Sequence, residues 1–312
     1  MNRVHALQNE IECALKIVRL AGHEKGLDLP SVVVMENSFH GRSLAALSAT
    51  GSRKVQAGFE PLVGGFLRVP FNDIKAVEKL SRGPNQIAAV LVEPIQGEAG
   101  IQIPDDGYLS SLRRLCDQHG WLLIFDEIQC GMGRCGTLFA HELYDVTPDI
   151  MTLAKGIGSG MPIGLIVARK SVMSKWKHGA HGNTYGGNPL ACAAAMETLR
   201  LVESGYADNA AAMGEYFMDK LRDMATRFDV IGEVRGQGLM IGMELVKDRQ
   251  TKEPAKTVCD ELVRKAFQNG LLLLSCGVST VRFMPPLMVD KAIIDEAMEM
   301  LEASLAEVLA EQ

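Results

Sequence analysis

The chain has 312 residues, of which 47% are hydrophobic and 22% charged, and its formal net charge is −6. That length suggests about two domains, and the acidic balance argues against nucleic acid or an anionic membrane surface as a partner. No apolar run reaches the roughly 18 residues of a membrane-spanning helix. No signal peptide is expected from Asn2-Arg3-Val4-His5, which leads into a mixed polar segment. The seven cysteines are scattered, and Cys130 and Cys135 lack the second pair that a metal site requires, so reduced thiols in the cytoplasm are expected.

Leu7, Ile11, Ala14, Leu15 and Val18 fall on one face, which predicts an amphipathic helix over 7–18. Ser31 to Met35 is a β-branched run, read as a strand, followed by the polar turn Asn37-Ser38-Phe39-His40-Gly41-Arg42. Ile87 to Val92 is a buried strand ending at Glu93-Pro94-Ile95-Gln96-Gly97-Glu98. Tyr108 to His119 reads as a helix with Leu109, Leu112 and Leu115 inward.

The apolar run Leu122-Leu123-Ile124-Phe125 then meets Asp126-Glu127-Ile128-Gln129, a buried strand that delivers Asp126 at its carboxyl end. A second short run, Met151-Thr152-Leu153-Ala154, ends in Lys155-Gly156. Pro162 to Ala168 continues as a strand, and His181-Gly182-Asn183-Thr184-Tyr185-Gly186-Gly187-Asn188-Pro189 precedes an Ala-rich helix starting near Leu190. Such a glycine-rich loop can offer backbone amides to an anion.

After Ser204, helical periodicity through Ala212, Tyr216, Leu221 and Ala225 gives way to Gly232–Leu239. Alternation at Leu239, Ile241, Met243 and Leu245 predicts a half-buried strand. Two short strands near Leu271–Leu274 and Val281–Phe283 and a closing helix over Ile293–Leu309 complete the tail. The division expected is a large domain over 1–204 and a smaller one over 205–312.

A strand-end carboxylate and a strand-end lysine are the two groups that pyridoxal 5'-phosphate requires. One pairs with its protonated ring nitrogen and the other with its aldehyde. The wording of Asp126-Glu127-Ile128-Gln129, Gly131-Met132-Gly133-Arg134, Pro148-Asp149-Ile150 and Lys155-Gly156 closely resembles the class III aminotransferases of pyridoxal-phosphate fold type I.

The resemblance implies an α/β fold: a large domain on a mostly parallel sheet, with a smaller α+β domain at the carboxyl end. It implies Lys155 and Asp126 as the catalytic pair. Phe39, His40, Glu93, Ile128, Gln129 and Thr184 would join them around the cofactor, with Phe39 and Ile128 on opposite ring faces. Thr184 would reach the phosphate of a neighbouring subunit, so a homodimer is implied. Arg42 and Arg282 would bind substrate carboxylates, and Glu98 would pair with Arg282 until a dicarboxylate arrives.

The reaction implied is transfer of an amino group from an ω-amino donor to 2-oxoglutarate, giving glutamate. N-acetylornithine, ornithine and 4-aminobutyrate stay open as donors. A racemase of the same family and a non-catalytic relative stay open as alternatives. The family's Ser-Gly-Thr/Ala-Glu-Ala phosphate loop would fall at Ala6-Leu7-Gln8, which does not fit it. A chain truncated at its amino terminus, with weakened phosphate binding, is therefore expected.

Overall fold

A computed structural model describes residues 3–174 and 176–311, and for residues 3–9 it describes the backbone alone. The side chains of Ala6, Leu7 and Gln8, where a phosphate loop was looked for, lie outside the described residues. The chain divides into two compact units, each built on its own sheet.

The first unit comprises Met1–Pro94, Pro104–Met132 and Phe139–Val202. Its strands are β1 (Ser31–Met35), β2 (Phe66–Val69), β3 (Ile87–Val92), β4 (Leu122–Asp126), β5 (Ile150–Leu153) and β6 (Leu165–Ala168). They lie in the order β2-β1-β3-β4-β5-β6, all parallel except β6, which runs antiparallel to β5. The helices are α1 (Arg3–Glu24), α2 (Leu44–Ala49), α3 (Arg53–Gln56), α4 (Ile74–Ser81), α5 (Tyr108–His119), α6 (Lys170–Met173) and α7 (Pro189–Leu201).

Alternation along the strands assigns side chains to two covered faces. Val32, Val34, Leu91, Ile124 and Ile150 pack with Ile11, Leu15 and Val18 of α1. Val33, Met35, Val90, Val92, Leu123 and Phe125 pack with Val77 of α4 and Leu109 and Leu112 of α5. Burial on both sides explains why these strands read as unbroken apolar runs. Phe125 is fully buried, and truncating such a ring to alanine costs about 3–5 kcal/mol.

Local signals set the element ends. Asp73 accepts a hydrogen bond from the Ala76 amide at the start of α4, and Asn188 from the Ala191 amide at the start of α7. Gly120, at φ +67°, ends α5 in the left-handed conformation. Strand β4 ends at Asp126, as expected, and the chain then turns so that the Ile128 amide donates to Asp126 Oδ1. Strand β6 starts at Leu165, not at Pro162.

The second unit gathers Glu203–Gln312 with two short segments, Ile95–Ile103 and Gly133–Leu138, which a single cut near residue 204 leaves out. It contains α8 (Ala207–Arg227), β7 (Ile231–Gln237), β8 (Met240–Leu245), α9 (Lys256–Gln268), β9 (Leu274–Cys276), β10 (Thr280–Phe283) and α10 (Lys291–Ala310). The sheet is antiparallel throughout, in the order β7-β8-β10-β9. Phe217 of α8 meets Phe283 of β10 edge to face at 5.1 Å, within a core that includes Leu262, Ile294 and Leu301.

Three expectations change here. Strand β8 is buried on both faces, since Met240 is as covered as Ile241 and Gly242 packs on Ile101. Strand β7 and helix α9 were not anticipated, and β9 begins at Leu274 instead of ending there. Among the described residues no helix is long and apolar enough to cross a membrane.

Candidate active site

Asp126 ends β4 and is 3% exposed. Its Oδ2 lies 2.8 Å from Nδ1 of His40, and its Oδ1 accepts from the Ile128 amide at 3.1 Å and the Thr152 hydroxyl at 3.3 Å. Facing a carboxylate, Nδ1 of His40 carries the proton and donates it. The His40 amide in turn donates to Thr50 Oγ1 at 3.0 Å, which ties the turn after β1 to α2. Nε2 of His40 is buried and has no hydrogen-bond partner among the described residues. A buried polar atom without a partner is uncommon and marks a place where a ligand or water belongs.

Strands β4 and β5 are parallel neighbours, with Asp126 paired to Thr152. The chain leaves β5 through Ala154 into the 3₁₀ turn Lys155–Gly158, so Lys155 emerges at the same edge of the sheet as Asp126. Lys155 is exposed and has φ +46°, a left-handed conformation that non-glycine residues adopt at a cost. Buried Glu10 of α1 sits against Gly164, and desolvation pushes its carboxyl up to about 8, with the charge of Asp126 adding to the rise.

The Phe39 amide donates to Glu93 Oε1 at 2.9 Å, which joins the ends of the β1 and β3 loops. The Arg42 guanidinium lies over the Phe39 ring at 5.5 Å, so one face of that ring is shared with a cation. Ile128 and Gln129 are half-buried in the turn after β4. Thr184 is exposed in the loop before α7, and no described hydrogen bond draws it toward Asp126 or Lys155.

Glu127, the residue after Asp126, is held by a different set of donors. Its carboxylate accepts from the Ala140 amide at 2.6 Å, the His141 amide at 2.9 Å and His141 Nδ1 at 2.9 Å. That bond raises the proton affinity of His141 above the ordinary value. Glu127 thus closes the excursion that begins at Ile128 and carries Gln129.

Within the second unit, Arg282 Nη1 stands 2.5 Å from Glu98 Oε1. The guanidinium side chain is 13% exposed and the carboxylate 39%. The sequence analysis paired these two residues by resemblance, and they do meet.

Two contacts of Asp126 were missed. His40 had been placed at the cofactor without being matched to Asp126, and Thr152 was not singled out. The signal for Thr152 was a lone hydroxyl in an otherwise apolar strand, Ile150–Leu153.

Residues 8–305 match the family model described as aminotransferase class-III. The chain belongs to the class-III aminotransferases, pyridoxal-phosphate-dependent enzymes of fold type I. Among its relatives is the acetylornithine aminotransferase of Nitrosomonas europaea, 45% identical over 293 residues, covering 94% of this chain and 72% of that one. The acetylornithine aminotransferase of Clostridium acetobutylicum is 44% identical over 302 residues, covering 95% and 74%. Among solved structures, ornithine aminotransferase from Toxoplasma gondii superposes with a TM-score of 0.90 at 35% identity, covering 98% of this chain and 72% of that one.

Proposed function

We propose that this chain moves an amino group from an ω-amino donor of the N-acetylornithine class to 2-oxoglutarate, with glutamate as the second product. The observation that carries this reading is its similarity to enzymes named acetylornithine aminotransferases, at 39% to 45% identity over nearly the whole chain.

The residues present fit pyridoxal phosphate. Asp126 is a buried carboxylate whose donors are an amide, a hydroxyl and an imidazole, a setting that suits a protonated ring nitrogen. The Lys155 amine is exposed at the same sheet edge and suits the aldehyde. Bound, the cofactor supplies an electron sink for the substrate carbon that bears the amine.

Each residue then has one task. Lys155 would bind the cofactor aldehyde through its amine and would also be the base that moves a proton from the amine-bearing carbon of the substrate, a positioned proton transfer of the kind that contributes about 10²–10⁴-fold. Asp126 keeps the ring nitrogen protonated, and His40 fixes the orientation of that carboxylate. Phe39 and Ile128 would cover the ring faces, Gln129 would hydrogen-bond the ring hydroxyl oxygen, and Glu93 would stand near the rim. Arg42 and Arg282 receive substrate carboxylates, and Glu98 masks Arg282 when a donor without a second acid group is bound. Thr184 reaches the phosphate held by a second copy of the chain, so the working form is a cytoplasmic homodimer. The first unit is the cofactor-holding domain and the second the smaller substrate domain.

The test is to incubate the purified protein with pyridoxal phosphate, 2-oxoglutarate and N-acetylornithine, and to measure glutamate. Ornithine and 4-aminobutyrate run in parallel as competing donors. Preference for ornithine would move the assignment toward the Toxoplasma gondii enzyme it resembles in fold. Racemisation of an amino acid with no oxo-acid product would overturn it.

A further inference from the structure

The loop that carries Glu98 is held by a second arginine. The guanidinium of Arg235, on β7, donates from Nε to the carbonyls of Gly100 and Ile101, both at 3.0 Å. Its Nη2 donates to the Gly100 carbonyl at 2.7 Å and to Thr280 Oγ1 at 3.3 Å. Its Nη1 serves Glu233 Oε2 at 2.9 Å and Glu244 Oε2. An arginine has five N–H groups, and here each nitrogen already serves two acceptors. Arg235 therefore has nothing left to offer a substrate carboxylate.

The loop itself is tightly closed. Gln96 and Gln102 exchange amide–carbonyl bonds at 3.1 and 2.9 Å, and the Glu98 carbonyl accepts from the Gly277 amide at 2.8 Å. Gly100 has φ +107° and Ile101 φ +54°, so two consecutive residues are in the left-handed half of backbone space. Ile101 is fully buried, and a Cβ at Gly242 would meet its own at 3.0 Å. A branched residue stays in that conformation only when its surroundings enforce it.

We infer that Arg235 is a positioning residue: it fixes the main chain of Gln96–Gln102, so that Glu98 meets and leaves Arg282 by rotation of its side chain alone. The inference rests on the reading that Arg282 takes a substrate carboxylate. It adds that the gate has no moving loop, because both carbonyls of the strained pair are tied to a guanidinium whose charge Glu233 and Glu244 balance. Lysine at 235 would keep the charge but lose the fork.

The experiment uses the dimeric holoenzyme and glutarate, an unreactive dicarboxylate. Hydrogen exchange of the 96–102 amides is followed by mass spectrometry with and without glutarate, and glutarate affinity by calorimetry. The expected result is that loop protection in the unmodified protein is the same in both states. In Arg235→Lys, protection falls by about tenfold or more and glutarate binds several-fold more weakly, as the loss of charge-assisted bonds implies. Glu244→Gln, a gentler change that leaves the carbonyl bonds in place, shifts both readouts the same way by less, and it serves if Arg235→Lys does not fold. Loop protection that changes on glutarate binding, or variants that leave protection unaltered, would overturn the inference. Arg282→Lys separates the underlying reading. If glutarate affinity survives that change, Arg282 is not the carboxylate site, while exchange in the ligand-free Arg235 variant still reports on the clamp.

Discussion

His40 Nδ1 and Asp126 Oδ2 meet at 2.8 Å in a place where the imidazole is 0% and the carboxylate 3% exposed. A carboxylate removed from water is stable only if its lone pairs are occupied, and the geometry of those donors then fixes its orientation. Asp126 is thus held in one orientation by donors from this chain.

Asp126→Asn should retain cofactor but slow each half-reaction by about 100-fold or more, because a neutral amide does not hold the ring nitrogen protonated. His40→Leu should cost about 1–3 kcal/mol of stability by leaving Asp126 short of one buried bond. Single-turnover absorbance and thermal unfolding check the two. A His40→Leu protein as stable as the parent would show that the contact does not support the fold.

Glu10 gives stability a pH dependence of known sign. Its folded carboxyl is raised from the usual 4.5 to about 8 by burial, so the folded state binds the proton more tightly than the unfolded chain. Its contribution is fully present below the ordinary carboxylate value and is lost as pH rises through 8. The unfolding temperature of Glu10→Gln should therefore fall less than that of the parent between acidic and alkaline pH. Parallel curves across that range would remove Glu10 as the cause.

The proposed reach of Thr184 into a second copy predicts complementation. Lys155→Ala and Thr184→Ala homodimers should both be impaired. In a mixed dimer, one site carries both lesions and the other carries neither. Activity recovered to about half, with dimer composition verified by mass, supports the cross-subunit contact. Verified heterodimers with no recovery count against it.

Glu98→Gln should slow the half-reaction with the amine donor more than the half-reaction with glutamate. Under the proposed masking, a neutral amide would no longer offset the charge of Arg282 opposite an apolar or neutral donor group. Measured separately by single-turnover kinetics, equal slowing of both halves would refute the mask.

The central strands of the parallel sheet were legible because they are buried on both faces. Ile87–Val92 and Leu122–Phe125 carry no polar residue to blur the pattern, and the helix over Tyr108–His119 has apolar residues at helical spacing and closes on a glycine. Strand β7 was hidden because Gly232, Glu233, Arg235 and Gly236 read as a loop, although an edge strand tolerates such residues. Helix α9 was missed between two stretches that carry clear strand signals. The placement of Asp126 and Lys155 at the ends of neighbouring strands could be read from the sequence. Their supports could not, because His40 and Asp126 are 86 positions apart and Arg235 reaches Gly100 across 135. Only the folded chain brings such pairs together.

The left-handed backbone at Lys155 bears on any attempt to toughen this protein. Glycine or asparagine would occupy φ +46° with less strain, an advantage on the order of 1 kcal/mol. A library screened for heat resistance alone would therefore enrich those residues at position 155 and discard the amine. Under the role proposed for Lys155, directed evolution of this scaffold needs turnover in the selection from the first round, since thermal tolerance and chemistry would pull that one codon in opposite directions.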